Sequence, residues 1–172
     1  VTYTLTGTID VPCELAWTLG IFAAEGTCGE YGYKLHWAIV NQNRALLDRA
    51  KNALYQFMGM RTKVLSCHGR DRMFKLVPFN GRGQKTRSLH LPIVKQFAHL
   101  FLTRDGAKKV PELILNASLE AQAAFLEGYM VGDGYREGPT TRSITTVDPS
   151  LLAGLLAILS RLEVDYTIRK RR

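Results

Sequence analysis

At 172 residues and 46% hydrophobic content, the chain can form one compact domain or two halves sharing a core, which excludes a peptide hormone or a disordered tail. It has no run of about 18 apolar residues and no basic-then-apolar leader, so neither a membrane span nor a secretion signal is expected, and the chain reads as intracellular, in a prokaryotic cytoplasm or an organelle. The net charge of +8 suits a polyanionic partner, nucleic acid foremost, with a merely soluble basic surface its equal alternative on charge alone, while three cysteines without CxxC spacing argue against a disulfide framework and a structural zinc site.

Residues 1–11 read as an N-terminal extension. Leu15, Leu19 and Phe22 recur at helical spacing among small residues, predicting a helix over 13–25 that Gly26 stops. "YKLHWAIV" then alternates, with Leu35, Trp37 and Ile39 on one face and Lys34 and His36 on the other, as a strand buried on one side does. Asn43 is placed to cap a helix through "RALLDRAKNALYQFMG", whose apolar stripe is Leu46, Leu47, Ala50, Leu54 and Phe57 and whose end is Gly59. "TKVLSCH" and "MFKLVPF" predict two short strands, and "LHLPIVKQFAHLFL" a helix with Pro92 in its first turn.

The second part repeats the first. "SLEAQAAFLEGYMVGD" is again a helix stopped by glycine, "RSITTV" again a strand, and Asp148-Pro149 a cap and first helical residue opening "SLLAGLLAILSRLEV". Paired leucines, Leu46–Leu47 and Leu151–Leu152, and a closing strand mark an internal duplication of helix, hairpin, helix, strand. The first copy continues through two strands and a helix, whereas the second stops at "DYTIRKRR"; a final strand and helix are expected to be missing. The halves divide as 12–116 and 117–172.

Two acids end the repeated helices: Glu25 before Gly26, and Asp133 before Gly134. Small residues four apart, Gly20 and Ala24 in one helix and Gly128 and Gly132 in the other, would let the backbones meet. Glycine inside a helix costs about 1 kcal/mol relative to alanine, so close packing is expected to offset that loss. Side by side, the helices would bring two carboxylates together at the unfavourable end of their dipoles, an arrangement a divalent cation resolves. A single acid before glycine is ordinarily a solvated helix end; its recurrence on equivalent helices 133 − 25 = 108 residues apart is not.

"TLGIFAAEG" (18–26) and "LEGYMVGDG" (126–134) both resemble the signature of the LAGLIDADG homing endonucleases. The resemblance covers the chain from about Pro12 onward, as a single chain with two motifs. It implies an α+β, pseudo-twofold fold of duplicated αββαββα halves, with two antiparallel sheets forming a DNA-binding saddle around two central packed helices. It implies an endonuclease that hydrolyses both strands of a long specific duplex site, leaving short 3′ overhangs, with Mg²⁺ or Mn²⁺ held by Glu25 and Asp133 and by the carbonyls of Ala24 and Gly132. An intron RNA maturase, or a nucleic-acid-binding protein without cleavage, is the alternative of the same fold. The expected state is a monomer with internal pseudo-symmetry, with intron RNA a further partner for the maturase.

"DGAKKVPELIL" is similar to the lysine-x-Ile/Val-Pro block of intein-borne relatives, which makes Lys108 a candidate to reach the scissile phosphate, with Lys109 its neighbouring rival. Gln42 lies where some relatives place a polar residue that orders water near the metal, or is a plain turn residue. Val1 is not a Cys or Ser, so no splicing block is expected at this start. Outward strand positions and loops supply the DNA contacts: Lys34, His36, Lys75, Arg136 and Arg142 from strands, Arg70, Arg72, Arg82 and Lys85 from loops, and Arg169 from the last predicted strand, "VDYTI".

Overall fold

A computed structural model of the chain describes residues 10–31, 34–67, 72–79, 86–139 and 141–169, with backbone only for 31, 34 and 86–91. The elements run α1 (Cys13–Glu25), β1 (Gly26–Tyr31), β2 (Lys34–Asn41), α2 (Arg44–Met58), β3 (Thr62–Ser66), β4 (Phe74–Pro78), α3 (Thr86–Phe101), α4 (Glu112–Leu115), α5 (Leu119–Asp133), β5 (Gly134–Arg136), β6 (Arg142–Ile144) and α6 (Pro149–Arg161). This is an α+β fold in which helix, hairpin, helix occurs twice. The first hairpin extends into a four-stranded antiparallel sheet, β1-β2-β4-β3; the second remains a two-stranded sheet, β5-β6.

Local chemistry sets most boundaries. The Asn43 side chain accepts the Ala45 N–H at 3.0 Å at the start of α2. At its end Gly59 takes a left-handed conformation, φ 61°, and the N–H groups of Gly59 and Met60 bond the Tyr55 and Leu54 carbonyls. The stripe on α2 is Leu47, Ala50, Ala53 and Leu54, while Phe57, expected in it, is 37% exposed in the last turn. Ser118 caps α5 by accepting the Ala121 N–H. Asp148 sits at the start of α6 as expected, but its side chain makes no cap bond; its N–H donates to Thr146 Oγ1 at 3.1 Å instead.

Three expectations are corrected. α3 begins at Thr86, so Pro92 lies inside the helix rather than in its first turn. "RSITTV" is a strand only over Arg142–Ile144. "VDYTI" forms no strand: a strand exists only with a ladder partner, and residues 164–169 pair with none of the described strands, leaving Val164 and Ile168 exposed.

α1 and α5 sit at the centre, and α1 is buried on every side from Ala16 to Ala24. The core-facing side of the first sheet carries Trp37, Ile39 and Leu76 against an aromatic cluster. Phe22 anchors that cluster, with ring centroids 4.7 Å from both Phe97 and Phe101 of α3 and 5.3 Å from Trp37. Such ring pairs contribute about 0.5–1.5 kcal/mol each beyond burial. The second half packs Leu151, Leu155 and Ile158 of α6 with Ile114 and Phe125.

Candidate metal centre and nucleic-acid face

The two central helices touch backbone to backbone. A Cβ added at Gly20 would lie 2.0 Å from the Phe125 carbonyl oxygen, and one at Gly128 would lie 2.0 Å from that of Trp17. One turn further on, a Cβ at Gly132 would lie 2.5 Å from Ala24 Cβ and 3.2 Å from Glu25 Cγ. The expected small-residue pairing therefore exists, and it carries the helix ends, and their acids, to one place.

Both helices end alike. Gly26 and Gly134 share an extended backbone (φ −79°, ψ 149° and 141°), so each helix runs straight into a strand. Glycine is required there for space rather than for a left-handed turn. A Cβ at Gly26 would meet the Phe22 oxygen at 2.4 Å, and one at Gly134 the Met130 oxygen at 2.2 Å.

Glu25 is held in place. Its Oε1 accepts the Asn41 amide at 2.8 Å, and Asn41 Oδ1 accepts the Asn43 N–H at 2.7 Å. Burial pushes the Glu25 carboxyl above the usual carboxylate range; the Asn41 bond pulls it back, and the Asp133 charge raises it further. Burial likewise lifts Asp133, opposed by the Lys108 ammonium and a side-chain hydrogen bond from Tyr129. Tyr129, almost fully buried one helical turn before Asp133, is itself held well above an ordinary phenol, first by burial and then by the Asp133 charge, so its hydroxyl stays a donor.

Lys108 Nζ donates to the Ala23 carbonyl at 2.8 Å and the Ala24 carbonyl at 3.0 Å, capping the C-terminal end of α1. A turn through Gly106 (φ 85°) and a bridge between Leu102 and Lys108 place it there. Burial lowers its pKa, while Asp133, Asp148, Cys28 and Glu25 all hold its proton. Lys109 takes no part in that cap; its N–H bonds the Phe101 carbonyl.

Gln42 is exposed and lines a cleft of about 310 Å³ with Glu25, Asn41, Met73 and Gly132. The polar side chain that grips Glu25 is its neighbour, Asn41. Since Gly26 pairs with Ile39 and Gly134 with Ile144, the position matching Asn41 in the second half is Thr146. The correspondence extends to the turn that follows, where Thr146 Oγ1 takes the Asp148 N–H as Asn41 takes that of Asn43. Tyr129 stands beside Asp133 and Thr146, so Asp133 is supported through a tyrosine where Glu25 is bonded directly.

The set fits a divalent cation of the oxygen-preferring kind. Glu25 is partly buried and opens beside Gly132 onto a polar cleft, Asp133 is exposed at the end of the neighbouring helix, and both carboxyls are shifted towards their neutral forms. Among the described residues no group of three or more His, Cys, Asp or Glu gathers, so water or a substrate oxygen would complete the shell.

Strand alternation decides the predicted DNA contacts. On the first sheet Lys75 and His36 point away from the core, while Lys34 is described in backbone only; His36 lies over Gly29, whose added Cβ would be 2.8 Å from the ring. Lys63, paired with Val77 on that same face, was not anticipated. Arg136 and Arg142 pair across the second hairpin on the side of Ile144 rather than that of Tyr135, and both are exposed, as expected of Arg142. Arg72 is exposed with φ 63°, and Arg169 is exposed in the unpaired 164–169 segment. Arg70, Arg82 and Lys85 lie outside the described residues.

Comparison with known proteins agrees with this architecture. Residues 120–172 match the family described as LAGLIDADG-like domain. A DNA polymerase of Acanthamoeba polyphaga mimivirus is 31% identical over 126 residues, covering 71% of this chain and 7% of that protein. A DNA polymerase of Thermococcus hydrothermalis is 26% identical over 162 residues, covering 91% of this chain and 9% of that protein. The chain thus spans less than a tenth of the length of these curated relatives. The structure of I-DmoI in complex with DNA and Mn superposes with a TM-score of 0.59 at 18% identity, covering 91% of this chain and 81% of that one. I-DmoI in complex with DNA and Ca gives 0.57 at 17% identity, covering 88% and 72%. Residues 120–172 thus carry a LAGLIDADG-like domain, and the chain, with α1 and α5 as its two central helices, shares the fold of I-DmoI.

Proposed function

We propose that the chain is a site-specific, divalent-metal-dependent endonuclease of double-stranded DNA, a homing endonuclease that leaves short 3′ overhangs. The observation that carries this reading is the convergence of Glu25 and Asp133 at the ends of two helices packed backbone to backbone, with Lys108 within electrostatic reach of both. Glu25 and Asp133, with the carbonyls of Ala24 and Gly132, would hold the ions. Mg²⁺ or Mn²⁺, when bound, would activate the attacking water and stabilise the leaving oxygen at each scissile phosphate. I-DmoI, which shares the fold, was captured with DNA together with Mn or Ca, and this supports the choice of substrate and cation class.

The chain's own residues then have distinct parts. Asn41 fixes the Glu25 carboxylate, and Tyr129 with Thr146 fixes that of Asp133, so the two acids are equivalent in place but not in support. Lys108, already desolvated, supplies positive charge where phosphate charge would develop, at the cost of its bond to the Ala24 carbonyl wherever that oxygen binds metal. Gln42, on the open side of the cleft, is placed to order a water. His36, Lys75 and the Lys34 position supply contacts from the outer face of the first sheet.

The halves 12–116 and 117–172 would act as a pseudo-twofold monomer, one on each half-site. A match confined to under a tenth of two DNA polymerases fits an endonuclease carried inside a polymerase chain, as an intein endonuclease is. The test is incubation of purified chain with the uninterrupted polymerase gene in Mg²⁺. A single double-strand break is expected; tight binding without cleavage would replace the endonuclease with a binding protein or maturase.

A further inference from the structure

The outer face of the first sheet differs from a uniformly polar DNA-reading surface. Thr27 pairs with Ala38, Val40 with Lys75, Lys75 with Leu65, and Val77 with Lys63, and all of these turn away from the core-facing Cys28, Trp37, Ile39 and Leu76. The middle of the face is therefore small and apolar, with lysines set into it and no acid at its described positions. Leu65 is 37% exposed there, and Lys63 Nζ stands 5.0 Å over the ring of Phe79, itself 41% exposed.

Resting on the DNA endonuclease reading, we propose that this face selects base pairs by the C5-methyl groups of thymine, through Ala38, Val40, Leu65 and Val77. In the major groove guanine offers two acceptors and adenine an acceptor and a donor, whereas thymine offers a methyl beside one acceptor. Alanine, valine and leucine side chains cannot satisfy the polar edges, and covering those edges without a partner is unfavourable. A methyl is the one group in that groove they bury with gain. Lys63 and Lys75 remain for phosphates or a flanking guanine, and Thr27 is neutral in this choice.

The register also locates the preference. Val40 immediately precedes Asn41, which grips Glu25, and Lys75 and Leu65 lie in the same cross-strand row. The Lys34 position and His36 occupy the far end of the face. Thymines should therefore cluster on the side of the target bound by the first half, close to the cut, and give way to a more polar readout further out.

The test separates reading from cutting. A duplex library with a randomised core is selected by retention on the intact chain without added divalent ion, and the recovered consensus is then remade with uracil for thymine, which removes only the C5 methyl. A thymine-rich block on one side of the consensus is expected. Each uracil there should weaken binding about 4-fold, the effect of one buried methyl-sized group. Val40→Ser, which leaves no methyl, should bind more weakly to the thymine duplex and become indifferent to uracil at one position. A consensus without that block, or unchanged binding by the uracil duplex, overturns methyl reading. Failure to retain any duplex overturns methyl reading and the endonuclease proposal together. A thymine block with uracil sensitivity but no cleavage on adding Mg²⁺ upholds methyl reading and overturns only the endonuclease.

Discussion

Replacing Gly128 with alanine should force the two central helices apart. The new Cβ would stand 2.0 Å from the Trp17 oxygen and 2.9 Å from its carbonyl carbon, both backbone atoms that no rotamer change can move. Ordinary contact begins at 3.4 Å, so the helices would have to separate by about 1.4 Å at that point. Alanine improves intrinsic helix stability by about 1 kcal/mol. Against this stand overpacking, about 1–3 kcal/mol, and loosened contacts along the rest of the buried seam. A net loss of about 2 kcal/mol would lower Tm by roughly 4–8 °C for a domain of this size. The loss should reach the chemistry as well, because Glu25 and Asp133 lie beyond this crossing. Thermal unfolding by circular dichroism, run beside a DNA cleavage assay, measures both effects, with Gly138→Ala, where no atom lies within 4 Å of the added Cβ, as the control. If Gly128→Ala melts with the wild type and cleaves as fast, the helices are not packed backbone to backbone.

The acids should make metal-free stability depend on pH. Burial lifts both carboxyls, so the native state keeps protons that the unfolded chain releases near pH ~4. Stability should therefore fall as pH rises from there through their folded values. Glu25→Gln should flatten that slope and reduce the rise in Tm on adding Mg²⁺, whereas a curve parallel to the wild type would remove Glu25 from the site. Phe22→Ala, which empties the centre of the aromatic cluster, should cost about 3–5 kcal/mol by urea denaturation, and a loss below about 1 kcal/mol would show that the cluster is not tightly packed. Lys108→Met should keep the stem but lose both bonds to α1, lowering the cleavage rate by about 10²-fold or more while DNA binding changes little. Lys109→Met should cut normally; reversed behaviour of the two variants would exchange their roles.

The paired helices were legible because their determinants are local and repeated: small residues four apart, and an acid before glycine, twice. Asn41 was also within reach, because the alternation of Leu35, Trp37 and Ile39 places residue 41 on the core side, where a polar group must find a partner. The neighbouring Gln42, chosen by resemblance, turns outward. Tyr129 carried a weaker signal, its i, i+4 spacing to Asp133, which reads equally well as core. The reason for Gly26 and Gly134 was not legible at all. Their backbones are extended, and only the crowding by Phe22 and Met130 shows that a Cβ does not fit. The side of the second hairpin that Arg142 takes is not legible in the sequence, because it is fixed by pairing with Arg136, a long-range fact. "VDYTI" has strand propensity, but propensity forms no ladder without a neighbouring strand.

The most direct measurement follows the two strands of the target separately. With Mg²⁺, wild-type chain should cut both strands of the duplex, each close to its own acid. Glu25→Gln and Asp133→Asn should each bind the same duplex with similar affinity yet stop at a nick or leave it uncut. Full double-strand cleavage by either variant would show that the converging acids are not the catalytic metal ligands.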